Sequence, residues 1–147
     1  MTTSFAGKKI VIIGLGLIGG SLARSLKTTE PQTRIFAVGR NAPVLQQAMM
    51  DGSIDGWSNS ALELCIDADL VVLGMPVLAI EQNLRDLANV LTSQTVVTDV
   101  ASVKGAVVDA AIRVFGTVPP NFVLGHPIAG SEQSGYAASK ADLYHGR

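Results

Sequence analysis

Four β-branched residues ending on a patterned glycine turn constrain this chain more than any other feature. Ile10-Val11-Ile12-Ile13 has strand length and composition, and it runs straight into Gly14-Leu15-Gly16-Leu17-Ile18-Gly19. Ile18, Leu22 and Leu26 follow at i, i+4 spacing, which predicts a helix from Ile18 to Lys27. A strand, a G-x-G-x-x-G turn and a helix, in that order, form the setting in which such glycines bind a dinucleotide. The first glycine permits a tight turn, the second lets the backbone approach a pyrophosphate, and the third lets helix pack closely on strand. The helix start then offers unpaired N–H groups and partial positive charge to the phosphates, so Leu17 and Ile18 join the glycines as expected cofactor contacts. Glycine-rich turns also occur for packing alone, and only the β-then-α context gives this one its meaning.

The rest of the chain repeats the alternation. Apolar strands are expected at Ile35–Val38, Leu70–Leu73, Thr95–Thr98 and Phe122–Leu124. Helices are expected from Pro43 to about Met50, from Ile80 to Leu91, and from about Lys104 to Phe115, with Asp51-Gly52 closing the first of these. Strands separated by helical crossovers imply an α/β fold of Rossmann type: a doubly wound, mainly parallel sheet with helices on both faces. Residues 1–147 read as one dinucleotide-binding domain, without repeat or linker. After Ala129 the chain loses apolar periodicity, and Gly130, Ser131, Ser134, Gly135 and Ser139 predict a mobile surface loop. Cys65 reads as an inert helical core position, and Trp57 and the Met49-Met50 pair as packing residues.

Composition narrows the function classes. Only 16% of residues are charged and the net charge is −1, so no field draws a polyanion and nucleic acid is not an expected partner. A single cysteine rules out an internal disulfide and favours the cytoplasm. No segment approaches a membrane span, and Met1 to Lys9 has no apolar run before its lysines, so neither a membrane nor a secretory route is expected. No metal site is read.

The choice of dinucleotide should be written at the end of the second strand, where an NAD site normally places an acid against the ribose 2′-hydroxyl. Here that position is Gly39, followed by Arg40 and Asn41. No carboxylate stands there to repel a 2′-phosphate, and Arg40 could bind one bidentately, which favours NADP over NAD. A solvated turn arginine is the alternative reading of Arg40.

Two further segments follow strands: Thr98-Asp99-Val100-Ala101-Ser102-Val103-Lys104-Gly105 and Gly125-His126-Pro127-Ile128-Ala129-Gly130-Ser131-Glu132. With the glycine turn they closely resemble the prephenate/arogenate (cyclohexadienyl) dehydrogenase family, in order and across essentially the whole chain. All begin where a strand ends, so they converge on the sheet edge where open α/β folds bind ligands. Met75-Pro76 ends its strand there too and is expected to line the cofactor cleft.

The resemblance implies an oxidative decarboxylation in tyrosine biosynthesis. Hydride passes from ring C4 of prephenate or arogenate to the nicotinamide while carbon dioxide leaves C1. By the same resemblance His126 takes the ring hydroxyl's proton, Ser102 orients that hydroxyl and touches the nicotinamide, and Glu132 stands at the mouth of the substrate site. It also implies a further helical domain that completes the pocket and forms a homodimer. Ser102 has a second reading as the N-cap of the following helix, Asp99 as a cap of the same loop, and Lys104 as a first-turn surface residue. His145 reads as a solvated tail residue. The rivals are a β-hydroxyacid dehydrogenase-type oxidoreductase, which would not need Gly125-His126-Pro127, and a non-catalytic cofactor-binding regulatory module, which would need neither Ser102 nor His126.

Overall fold

The computed structural model describes residues 4–125 and 135–144. Along the chain run β1 (Lys9–Ile13), α1 (Leu17–Thr29), β2 (Arg34–Val38), α2 (Ala42–Met50), β3 (Gly56–Ser58), α3 (Ala61–Cys65), β4 (Leu70–Leu73), α4 (Val77–Leu87), β5 (Val96–Asp99), α5 (Lys104–Phe115) and β6 (Phe122–Val123). The strands pair in the order β3-β2-β1-β4-β5-β6, every pair parallel. This is the expected Rossmann-type sheet. Among the described residues no helix is long and apolar enough to cross a membrane.

Period-2 alternation splits the core into two layers. Val11, Ile13, Val71, Leu73 and Val97 face α3, α4 and α5, joining Ile80, Leu84 and Val107. Ile10, Ile12, Ile35, Ala37 and Val72 face the other way onto α1 and α2, with Ala23, Leu45 and Ala48. A fully buried aliphatic side chain contributes about 1.5–3 kcal/mol, so each layer supplies a large apolar stabilisation. Pairing register then aligns the strand ends: Val38 lies opposite Ile13, Ile13 opposite Leu73, and Leu73 opposite Asp99. Every turn leaving those residues therefore emerges on one edge.

Several expectations shift. Helix α4 begins at Val77, because Pro76 occupies the cap position ahead of its first turn, and it ends at Leu87. The tighter bond from Val90 N–H to the Leu87 carbonyl breaks the helical repeat, although Leu91 still packs on the core. Thr95 precedes its strand: its hydroxyl donates to the Ala68 carbonyl at 3.0 Å. Strand β3 spans three residues, too few for alternation to show in sequence, and Trp57 within it packs on the α1–α2 layer as expected. Cys65 is buried, and burial pushes its thiol up to about 11 despite nearby Lys9, in keeping with an inert role. The Met49-Met50 reading is overturned. These side chains are 39% and 83% exposed, because Leu45 and Ala48 form the inward stripe of α2 and the two residues after Ala48 rotate outward.

Residues 135–144 also correct an expectation, since they are docked rather than a mobile surface loop. Tyr136, in a 3-10 turn over Tyr136–Ala138, is only 5% exposed and belongs to the α1–α2 core. Its hydroxyl donates to Asp51 Oδ2 at 2.6 Å and lies 2.9 Å from Ser53 Oγ, while the Arg24 guanidinium sits 4.6 Å from its ring centre. Arg24 also pairs with Asp51 at 3.1 Å and donates to Ser139 Oγ at 2.7 Å. Lys140 N–H donates to Ser21 Oγ and Tyr144 hydroxyl to the Ile18 carbonyl, at 2.9 and 2.7 Å. Gly20 makes room for the segment: a Cβ there would lie 2.7 Å from the Tyr136 ring.

This network sets the pH response of the fold. Burial pushes the Tyr136 hydroxyl up to about 12, with the Asp51 acceptor adding to the effect, and burial likewise raises Tyr144 to about 12. A raised folded-state pKa means stability present below the unfolded value near 10 and lost as pH rises toward 12. Burial pushes Asp51 up, but hydrogen bonds from Ser53 and Tyr136, with Arg24, outweigh it, so its contribution is lost as pH falls through a lowered value. Tyr136→Phe is expected to lose about 1.5–3 kcal/mol near neutral pH, the range for a hydrogen bond to a charged group. The alkaline decline of the unsubstituted protein should shrink in the variant, leaving the share due to Tyr144. Urea denaturation across a pH series measures both, and equal stabilities would remove the network from the fold's energetics.

Candidate functional site

The site is built around backbone proximity at the end of β1. Gly14 has φ +98, and a Cβ on it would lie 2.8 Å from the Gly74 carbonyl carbon and oxygen. A Cβ on Gly19 would lie 2.4 Å from the Gly14 carbonyl oxygen, so only glycine lets α1 sit this close to the turn. Gly14 N–H donates to Val38 O at 3.0 Å and Gly74 N–H to Ile13 O at 2.7 Å, which stitches the ends of β1, β2 and β4 together. Gly16 differs, because a Cβ there would meet nothing within 4 Å. It precedes α1 with no side-chain cap and no acidic residue in the first turn. An uncapped, acid-free helix start facing open space suits a pyrophosphate, and the amides of Leu17 and Ile18 belong to that turn.

Beside this turn lies a cleft of about 510 Å3 that gathers Gly14, Arg40 and Met75 with residues of α4. Arg40 is exposed, directly after Gly39, whose N–H donates to Ser58 O at 3.2 Å. Asn41 caps α2 by accepting from Val44 N–H at 3.3 Å. Among the described residues no carboxylate stands at the end of β2. Pro76 is exposed and occupies the cap position of α4, next to Met75 of the cleft.

The second half of the site is held by charge. Asp99, at the end of β5, is 1% exposed. Its Oδ2 accepts from Ala101 N–H at 3.0 Å and from the Lys104 ammonium, and its Oδ1 accepts from Gly125 N–H at 3.2 Å. Lys104 donates in turn to the Gly125 carbonyl. A Cβ on Gly125 would lie 2.8 Å from the Asp99 carbonyl oxygen, so the two turns touch through backbone as well. Removing Lys104 would leave the buried Asp99 carboxylate without its counter-charge, at a cost of about 1–3 kcal/mol or more. Lys104 is therefore a structural clamp and not a solvated first-turn residue. Ser102 is exposed and does not cap α5, since Val103 holds that position without a side-chain bond.

His126, Glu132 and His145 lie outside the described residues; His126 follows Gly125 directly in the chain. Among the described residues no group of His, Cys, Asp and Glu is arranged to hold a metal. Sequence reasoning missed the Asp99–Lys104–Gly125 clamp, although an Asp and a Lys five residues apart across a strand-to-helix turn was an available signal. It also missed Gly74 and Gly125, whose role rests on close approaches that sequence alone does not display.

With this geometry in place, likeness to known proteins is informative. Residues 22–147 match the family described as "Prephenate dehydrogenase, nucleotide-binding domain". Prephenate dehydrogenase of Lactococcus lactis subsp. cremoris is 36% identical over 141 residues, covering 93% of this chain and 38% of that protein. The crystal structure of prephenate dehydrogenase from A. aeolicus, in complex with hydroxyphenyl propionate and NAD+, superposes with a TM-score of 0.86 at 32% identity, covering 98% of this chain and 50% of that one. Synechocystis arogenate dehydrogenase superposes at 0.80 and 32% identity, over 92% and 46% of the two chains. This chain thus spans half or less of the length of these relatives. The match to one family over most of its residues, on the fold those relatives share, places the chain in the family of prephenate dehydrogenase nucleotide-binding domains.

Proposed function

We propose that this chain is the dinucleotide-binding part of an enzyme that oxidatively decarboxylates prephenate or arogenate, working in the cytoplasm on the route to tyrosine, with NADP+ preferred over NAD+. The observation that carries the reading is the clamp at the sheet edge. Asp99 and Lys104 tie the turn bearing Ser102 to Gly125, one residue before His126, on the same sheet edge as the glycine turn. On this reading the first-turn amides of α1, at Leu17, Ile18 and Gly19, hold the pyrophosphate that Gly14 and Gly16 leave room for. Arg40 takes the 2′-phosphate and Met75 flanks the ring system, with Pro76 holding the start of α4 beside it. When bound, a nicotinamide dinucleotide supplies the hydride acceptor.

Ser102 orients the substrate's ring hydroxyl, and His126 accepts its proton as the C4–H bond gives up its hydride. The C1–carboxylate bond then breaks, its electron pair completes the aromatic ring, and the proton on His126 returns to the phenolic oxygen. Glu132 selects substrate at the pocket mouth. A second, helical domain completes the pocket and forms the homodimer.

Cofactor choice is the first test. A charge-assisted hydrogen bond contributes about 1.5–3 kcal/mol, so NADP+ should bind roughly 10- to 150-fold more tightly than NAD+. Calorimetric titration of both, with Arg40→Ala, decides it; equal affinities overturn the preference. Residues 1–147 alone should bind cofactor yet turn over little substrate, because positioning carries on the order of 7–11 kcal/mol of such barriers and half the pocket lies elsewhere. Robust prephenate or arogenate oxidation by this chain would contradict that.

The third test addresses His126 in the complete enzyme. His126→Asn keeps a polar side chain but removes the base, so kcat should fall about 10²–10⁴-fold with cofactor affinity nearly intact. An imidazolium cannot accept the proton, so the unsubstituted rate falls as pH drops through the histidine's titration, and that limb should vanish in the variant. A near-normal kcat in the variant would take His126 out of the mechanism.

A further inference from the structure

Helix α4 turns two different faces to its surroundings. Ile80, Leu84 and Leu87 are fully buried against the sheet. Ala79, Gln82, Asn83 and Asp86, at i, i+3, i+4 and i+7, line the cleft that also holds Gly14 and Arg40. A strand-facing stripe is what the core demands, whereas a polar stripe along a ligand cleft is not.

Among the described residues that line the cleft two are charged: Arg40 on the β2 wall and Asp86 on the α4 wall. Gln82 Nε2 donates to Asp86 Oδ1 at 2.8 Å, which holds the carboxylate in place. Among the described residues neither Arg40 nor Asp86 forms an ion pair. With the pyrophosphate at the start of α1 and the ribose 2′ position at the end of β2, the adenosine end of a dinucleotide falls between these two walls. Arg40 and Asp86 line one and the same cleft, and the screening length at 0.1 M salt is ~10 Å. A 2′-phosphate in this cleft therefore feels the carboxylate as well as the guanidinium.

We infer that Asp86, held by Gln82 on the wall facing Arg40, is a specificity-determining residue that opposes the 2′-phosphate of NADP+ and keeps NAD+ a usable second cofactor. The inference rests on the proposed dinucleotide site. It makes the site's preference a balance of two charges on different elements, where the motif at the end of β2 alone would suggest a single determinant.

The test is calorimetric titration of NAD+ and NADP+ into this chain and its Asp86→Asn variant, at low and high salt. The new amide still accepts from Gln82 at an exposed position, so the fold is retained. NADP+ should bind the variant about threefold to tenfold more tightly at low salt, NAD+ should change less than about twofold, and the NADP+ gain should vanish near 1 M salt, where the screening length is ~3 Å. An unchanged NADP+ affinity at low salt, a gain shared equally by NAD+, or a gain that survives high salt overturns the inference and leaves the dinucleotide site standing. If the unsubstituted chain binds neither dinucleotide, both readings fall together.

Discussion

Three glycines meet at one carbonyl oxygen, and the rest of the molecule is arranged around that contact. The Gly14 carbonyl is so crowded that a Cβ on Gly19 would approach it to 2.4 Å and one on Gly74 to 2.8 Å. An L side chain at either position requires the backbone itself to move, which a close-packed interior resists. The consequences run outward. Helix α1 lies low on the sheet with its first turn at the strand edge, and the β4–α4 turn sits beside it. The register that aligns Val38, Ile13, Leu73 and Asp99 then delivers four strand ends to the same edge. A cleft forms there because the backbones on either side are held together at its floor.

Much of this was readable in the chain. Continuous apolar runs announced the buried parallel strands, and the G-x-G-x-x-G turn announced both the fold and the end of the sheet that carries the site. What escaped reading shares a physical character. Tyr136 is one aromatic in a stretch of small and polar residues, and its burial depends on Gly20, Arg24 and Asp51, which lie 85 to 116 positions earlier. Met49 and Met50 look like core by composition, yet their exposure follows from which side of a nine-residue helix faces inward. Ser102 looked a reasonable cap by residue type, but of the two caps the sequence offered for that turn it is Asp99 that satisfies it, from the strand side. Periodicity reports local faces. It does not report pairings between distant segments.

Charge is used sparingly and mostly as structure. At the edge opposite the cleft, Asp69 accepts from Lys9 N–H at 2.8 Å and Asp55 from Ile35 N–H at 2.8 Å, so carboxylates satisfy backbone donors near the starts of β1 and β2. Lys27 pairs with Asp55, and Lys9 with Asp67, which has a φ of +59. At the cleft edge the buried Asp99 is spent on Lys104 and Gly125. Among the described residues, Arg40 and Asp86 are the charged groups lining the cleft, and neither is committed to an ion pair.

The two halves of the site are consequently held by different physics. The glycine turn depends on the absence of side chains, so no other residue can weaken it except by displacing backbone. Gly125 and Tyr136, by contrast, are held by side chains: Asp99 and Lys104 at Gly125, and Asp51, Ser53 and Arg24 at Tyr136. Those contacts are ionic or charge-assisted, and their strength varies with pH and with single substitutions far from the cleft. Among the described residues the two sets of contacts meet only along α1, where the Tyr144 hydroxyl donates to the Ile18 carbonyl and Gly20 makes room for the Tyr136 ring, so the glycine turn and the Tyr136 segment share a helix while being held by different forces.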